Sequence, residues 1–162
     1  VHERWPNALV QRCMAHVLRE MRSLLTRNPK SDAGVALRVL VNRLTGIQTR
    51  RQKRRWVRAF LGWQRKYATF LKEKTKSIDG RFRYTHRKLR RARTHLVRAL
   101  PDLFRYVRDH RVPRTSNQLE GGINSPLKDL IRKHRGMQPH HELVLMSLYL
   151  KKRARKPPRD FN

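Results

Sequence analysis

The apolar positions of this chain recur mostly three and four residues apart, the spacing of helices buried along one side. The most regular run is Trp56, Phe60, Trp63, Tyr67 and Phe70, which predicts about four turns of helix carrying an aromatic stripe. Thr49 and Gln52 have the spacing of a capping box at its start. Upstream, a helical pattern covers Cys13 to Thr26, and Asn28-Pro29-Lys30-Ser31 breaks it. Ser31 is suited to cap a second helix whose apolar positions Val35, Leu37, Val39, Leu40 and Leu44 run to Gly46. Ser77-Ile78-Asp79-Gly80 signals a turn, after which Leu89, Ala92, Leu96, Val97 and Leu100 give a helix over Thr85–Leu100. Pro101 and Asp102 then start a short helix ending near His110. A helix from Asn117 to Gly136 is expected to kink or restart at Ser125-Pro126, and a last one spans His140 to Arg153. Ala8 to Arg12 reads as a short buried strand. Nothing repeats at a fixed period, so the fold class is mainly α and not a solenoid.

Charge changes this picture more than composition does. The 162 residues carry 41 Lys+Arg against 11 Asp+Glu, a formal charge of +30, with 38% hydrophobic content for a modest core. Such an excess repels itself in a compact chain, and a polyanionic partner explains it. Nucleic acid is favoured over membrane, since no apolar run approaches a spanning length. One cysteine permits no internal disulfide and fits a reducing cytoplasm. Opposite the aromatic stripe lie Lys53, Arg54, Arg55, Arg58, Arg65 and Lys66, and the Thr85–Leu100 helix adds Arg87, Lys88, Arg90, Arg91, Arg93 and Arg98. The stripe itself reads as a seam between helices, with a ladder for stacking bases as the alternative.

Against this background Glu120 stands out, in the stretch Arg114-Thr115-Ser116-Asn117-Gln118-Leu119-Glu120-Gly121-Gly122-Ile123-Asn124. An acidic group on a polyanion-binding face suits a ligand for a divalent metal. Asn117 and Glu120 equally have capping-box spacing, so a helix cap is the other reading. Capping gives no reason for Gly121 and Gly122, each costing roughly 1 kcal/mol in a helix relative to Ala.

These residues resemble a segment of the DDE transposases of bacterial insertion sequences, in particular the mutator-like group. Thr115, Asn117, Glu120, Gly121 and Asn124 match the family's third-acid motif, followed by the basic residues Lys128, Arg132, Lys133, Arg135 and then Gly136. Upstream, Cys13 and His16 resemble its Cys-x-x-His signature. The resemblance implies DNA transposition by metal-dependent strand cleavage and transfer, with Glu120 holding Mg²⁺ (or Mn²⁺) beside two aspartates absent from these residues. On this view the chain is the C-terminal part of the enzyme, inactive alone and binding no metal stably. Residues 1–27 would end an RNase H-like core with its last strand and following helix. Residues 28–112 would be a basic helical insertion, 113–153 the catalytic-Glu helix and closing helix, and 154–162 a basic disordered tail.

Arg54, Arg55, Arg58, Arg65, Arg87, Arg90, Arg91, Lys128, Arg132, Lys133 and Arg135 are the expected contacts to DNA, both transposon ends and target. The setting would be the bacterial cytoplasm at the nucleoid, with a homodimer open. Cys13 and His16 read as packing residues at a junction, or as half of a zinc site that lacks its other half. The rival to a transposase is a non-enzymatic basic helical module that binds nucleic acid.

Overall fold

A computed structural model of the chain describes residues 7–154, which form two units divided after Thr115. The first contains α1 (Met14–Leu25), α2 (Asp32–Asn42), α3 (Arg50–Lys66), strands β1 (Lys74–Lys76) and β2 (Phe82–Tyr84), and α4 (Arg87–Leu103). Short 3₁₀ turns follow α2, α3 and α4 at Arg43–Gly46, Phe70–Lys72 and Arg105–Val107. The second contains α5 (Asn117–Leu119), a π-helical turn (Glu120–Asn124), α6 (Ser125–Lys133) and α7 (Pro139–Ala154). The chain is therefore mainly helical, and no described helix is long and apolar enough to cross a membrane.

The core of the first unit lies where α1 packs on α4 and α2, and α2 on α3. Met14, Val17, Met21, Leu37, Leu44, Phe60, Leu96 and Leu103 are buried there. Each such side chain contributes about 1.5–3 kcal/mol of transfer free energy. The aromatic stripe is the seam of this core: Trp56, Phe60 and Trp63 are buried, with Tyr67 and Phe70 packed against them. Phe60 stacks between both tryptophans, at centroid distances of 5.4 and 5.9 Å. Burial would strand the indole N–H groups, but Trp56 donates to the Leu40 carbonyl at 2.7 Å and Trp63 to that of Ala33 at 2.9 Å. Both acceptors belong to α2, so these rings fix how α3 sits on α2 and are not offered to bases.

The predicted caps form. The Ser31 hydroxyl accepts from the Gly34 N–H at 3.2 Å. The Thr49 hydroxyl accepts from the Gln52 N–H, and the Gln52 carboxamide accepts in return from the Thr49 N–H at 3.0 Å.

Residues 8–13 do not form the expected strand. Among the described residues no strand pairs with it; instead the Arg12 N–H donates to the Asp102 carbonyl at 2.9 Å and the Met14 N–H to that of Arg114 at 2.9 Å. Nor does a new helix begin at Pro101, because α4 runs through it to Leu103. In the last turn the missing proline N–H forfeits a single bond, and Asp102, Leu103 and Phe104 are drawn into the core.

Candidate functional site

The Glu120 segment is built differently from a capped helix start. Ser116, not Asn117, flanks the helix, and the Glu120 N–H is taken by the Ser116 carbonyl at 2.8 Å. A capping box needs that N–H for the Asn117 side chain, so none forms. The Glu120 carboxylate instead accepts from the Ser116 hydroxyl at 2.5 Å and is half-buried, while Asn117 and Asn124 are exposed.

Helical backbone continues from Asn117 to Lys133 without the expected restart, but it widens into a π turn over Glu120–Asn124. The Ser125 N–H reaches back five residues to the Glu120 carbonyl. Pro126 supplies the reason: it has no N–H for the Gly122 carbonyl, and its ring crowds that oxygen. Widening by one residue relieves the clash, and Gly121 and Gly122 adopt it with no side chain to place. A Cβ added at Gly121 would meet nothing within 4 Å, and one at Gly122 would meet the Arg153 guanidinium at 3.5 Å. Leu127, one turn on, is buried, while Lys128, Arg132, Lys133 and Arg135 are exposed. Arg132 pairs with Asp129 at 3.0 Å, an exposed bridge of small energetic value.

In the first unit Cys13 precedes α1 and is half-buried, and His16 is exposed on its first turn. The Cys13 sulfur and a His16 ring nitrogen lie within 4.8 Å of each other. Among the described residues of that unit no further Cys, His or carboxylate gathers with them, short of the four ligands of structural zinc.

Cations of this unit line several hollows, two of them along α3 and α4. One, of about 560 Å³, is lined by Arg50, Arg51, Arg54, Arg55 and Arg58 of α3. The other, of about 480 Å³, lies along α4 and includes Arg87, Arg91 and Arg98 together with Glu20 and His95 of the α1–α4 contact. Desolvation by burial lowers the His95 pKa; the Glu20 charge opposes this and the Arg12 charge adds to it. Arg65 is exposed at the end of α3. Arg90 is different from its neighbours: it donates to the Leu71 carbonyl at 2.7 Å and lies 3.5 Å over the Tyr84 ring, bracing α4 against the strands. Arg50 and Arg51 escaped the sequence reading because they precede the apolar stripe that drew attention to α3. The strands escaped it because all their residues are exposed and show no in–out alternation.

Residues 3–136 match the model of a family described as "Transposase IS66 family". No curated protein and no solved structure matches the chain. The matched family and the mutator-like group that the motifs resemble are both transposases, and it is at that level that the two agree.

Proposed function

From the premise that this chain belongs to the IS66 family of transposases, we propose that it is a DDE enzyme's DNA-binding portion, with Glu120 as its third catalytic carboxylate. The observation that carries this reading is the π turn at Glu120–Asn124. Such turns are rare, and they frequently lie at functional sites. This one sets a half-buried carboxylate at the head of a run of exposed cations, Lys128, Arg132, Lys133 and Arg135.

The donor chemistry of Glu120 fits Mg²⁺ or Mn²⁺, which take hard oxygen ligands. Bound there, the ion would supply the activation of water or of a DNA 3′-hydroxyl for attack on a phosphodiester. The chain's own part is positional. Ser116, donating to one carboxylate oxygen, fixes the side-chain rotamer of Glu120, and the cations of α6 hold phosphates near it. The described aspartates are engaged elsewhere. Asp79 pairs with Arg83, Asp109 with Arg111, Asp129 with Arg132, Asp102 is buried at the end of α4, and Asp32 opens α2. The two catalytic aspartates are therefore assigned to sequence outside the described residues, in an RNase H-like core.

The test is a strand-cleavage assay with Mg²⁺. The chain alone is expected to show no nicking or strand transfer, and an enzyme that also carries the two aspartates is expected to lose activity in the Glu120→Gln variant while still binding DNA. Metal-dependent nicking by the chain alone, abolished by Glu120→Gln, would overturn the assignment of the aspartates elsewhere. Unaltered activity of that variant in the fuller enzyme would overturn the role of Glu120.

A further inference from the structure

We propose that the β1–β2 hairpin is an arm that enters the minor groove of duplex DNA, with Ile78 and Phe82 as apolar wedges and Lys74, Lys76 and Arg81 on the phosphates of the groove walls. The inference rests on the reading of the protein as a DNA-binding transposase.

The hairpin pairs Lys74 with Tyr84, Thr75 with Arg83 and Lys76 with Phe82, joined by the loop Ser77–Arg81. Gly80, at φ +77°, closes that loop, with its N–H on the Ser77 carbonyl and the Ser77 N–H on that of Arg81, both at 2.9 Å. Ile78 projects at the tip with relative exposure 109%, and Phe82 is 68% exposed. Cross-strand partners share a face, so Phe82 stands beside Lys76, and Tyr84 beside Lys74. Lys74 and Lys76 thus share the face of Phe82 and Tyr84, while Arg83 lies with Thr75 on the opposite one. The single carboxylate, Asp79, is occupied by Arg83 at 2.6 Å and accepts from the Arg81 N–H at 3.3 Å.

A two-stranded hairpin is marginal by itself, but this one has a firm root. The Thr85 N–H donates to the Glu73 carbonyl at 3.0 Å, and the Thr75 and Thr85 hydroxyls meet at 2.6 Å. Glu73 bonds His86 at 2.8 Å, His86 stacks on Phe70 at 3.7 Å, and Arg90 covers Tyr84. The root is tied through Phe70, which packs against the core, while Ile78 at the tip is fully exposed.

Single exposed apolar side chains are ordinary on a surface. What selects DNA is charge. Protein-binding patches are depleted of lysine at their centre, whereas apolar wedges flanked by cations are how minor-groove proteins part a base step and bend the duplex.

The probe is a short mixed-sequence duplex carrying aminopurine for unstacking and a dye pair at its ends for bending, titrated with the full chain at several salt concentrations. The chain is expected to raise aminopurine fluorescence and shorten the end-to-end distance. The Ile78→Ser/Phe82→Ser variant is expected to lose both signals while keeping its salt dependence, about 0.9 in log K per phosphate neutralised, and Ile78→Leu to retain them. Equal signals from the double variant and the parent would overturn the proposal, as would salt-dependent binding by the parent with neither signal. Loss of self-association in the double variant with bending intact would also overturn it, and would assign the patch to a second copy. Absence of any salt-dependent DNA binding by the chain would instead overturn the functional reading beneath it.

Discussion

Gly34 shows how a single missing atom sets a helix junction. It is buried in the first turn of α2, and a Cβ there would come within 2.8 Å of the Pro29 Cβ and 3.2 Å of the Ser31 hydroxyl. Ala is the better helix former by about 1 kcal/mol, but the pyrrolidine ring cannot swing aside as a flexible side chain would. Gly34→Ala is therefore expected to lower stability by about 1–3 kcal/mol net, from overpacking against the turn, as read from urea unfolding. His95 makes a second prediction at this scale. Its pKa is lowered in the fold, chiefly by desolvation, so the folded chain binds fewer protons than the unfolded one below the ordinary value of 6.5. Its contribution is complete above that pH and is lost as pH falls through the depressed native value. Unfolding midpoints should drop with acidification, and the drop should be shallower in His95→Gln.

At the scale of elements, legibility followed the chemistry of the ends. Thr49 with Gln52, and Ser31 before Asp32, mark helix starts through bonds that neighbouring residues make among themselves, so the sequence carries them entire. The aromatic seam was equally legible, since a period is a local property. The strand expected at Ala8–Arg12 failed because an apolar run cannot reveal whether a partner strand exists. The Pro101 break failed because the cost of proline depends on how many turns remain after it. The π turn was hidden because Gly121 and Gly122 read as a helical cost that capping did not explain and Pro126 as a kink or restart, and only together do they mark a widened turn. Pro126→Ala tests that account. It restores a donor to the Gly122 carbonyl, so Glu120–Asn124 should tighten to α geometry. The segment should gain roughly 1–3 kcal/mol in local stability, measured by amide hydrogen exchange at Ser125 and Ile123. Persistence of the π pattern would remove proline as its cause.

For the whole molecule, the charge of +30 announced a polyanionic partner, but not which cations would be free to meet it. Arg90 is committed to the Leu71 carbonyl and the Tyr84 ring, while Arg54, Arg58 and Arg87 stand in solvent. Long-range ties of this kind are what a sequence conceals, and a Gln11 side chain that bonds three backbone groups is among them. Its carboxamide oxygen accepts from the Arg105 and Tyr106 N–H groups at 2.9 and 3.2 Å, and its nitrogen donates to the Leu103 carbonyl at 3.0 Å, across separations of 92 to 95 residues. The turn after α4 thus stays unfinished until the opposite end of the chain arrives, which places that closure late among the events of folding. Gln11→Ala should accordingly hasten unfolding several-fold while barely altering the rate of refolding, as stopped-flow chevrons would record. How long the molecule survives between openings would then depend in part on one amide clasp beside its aromatic interior.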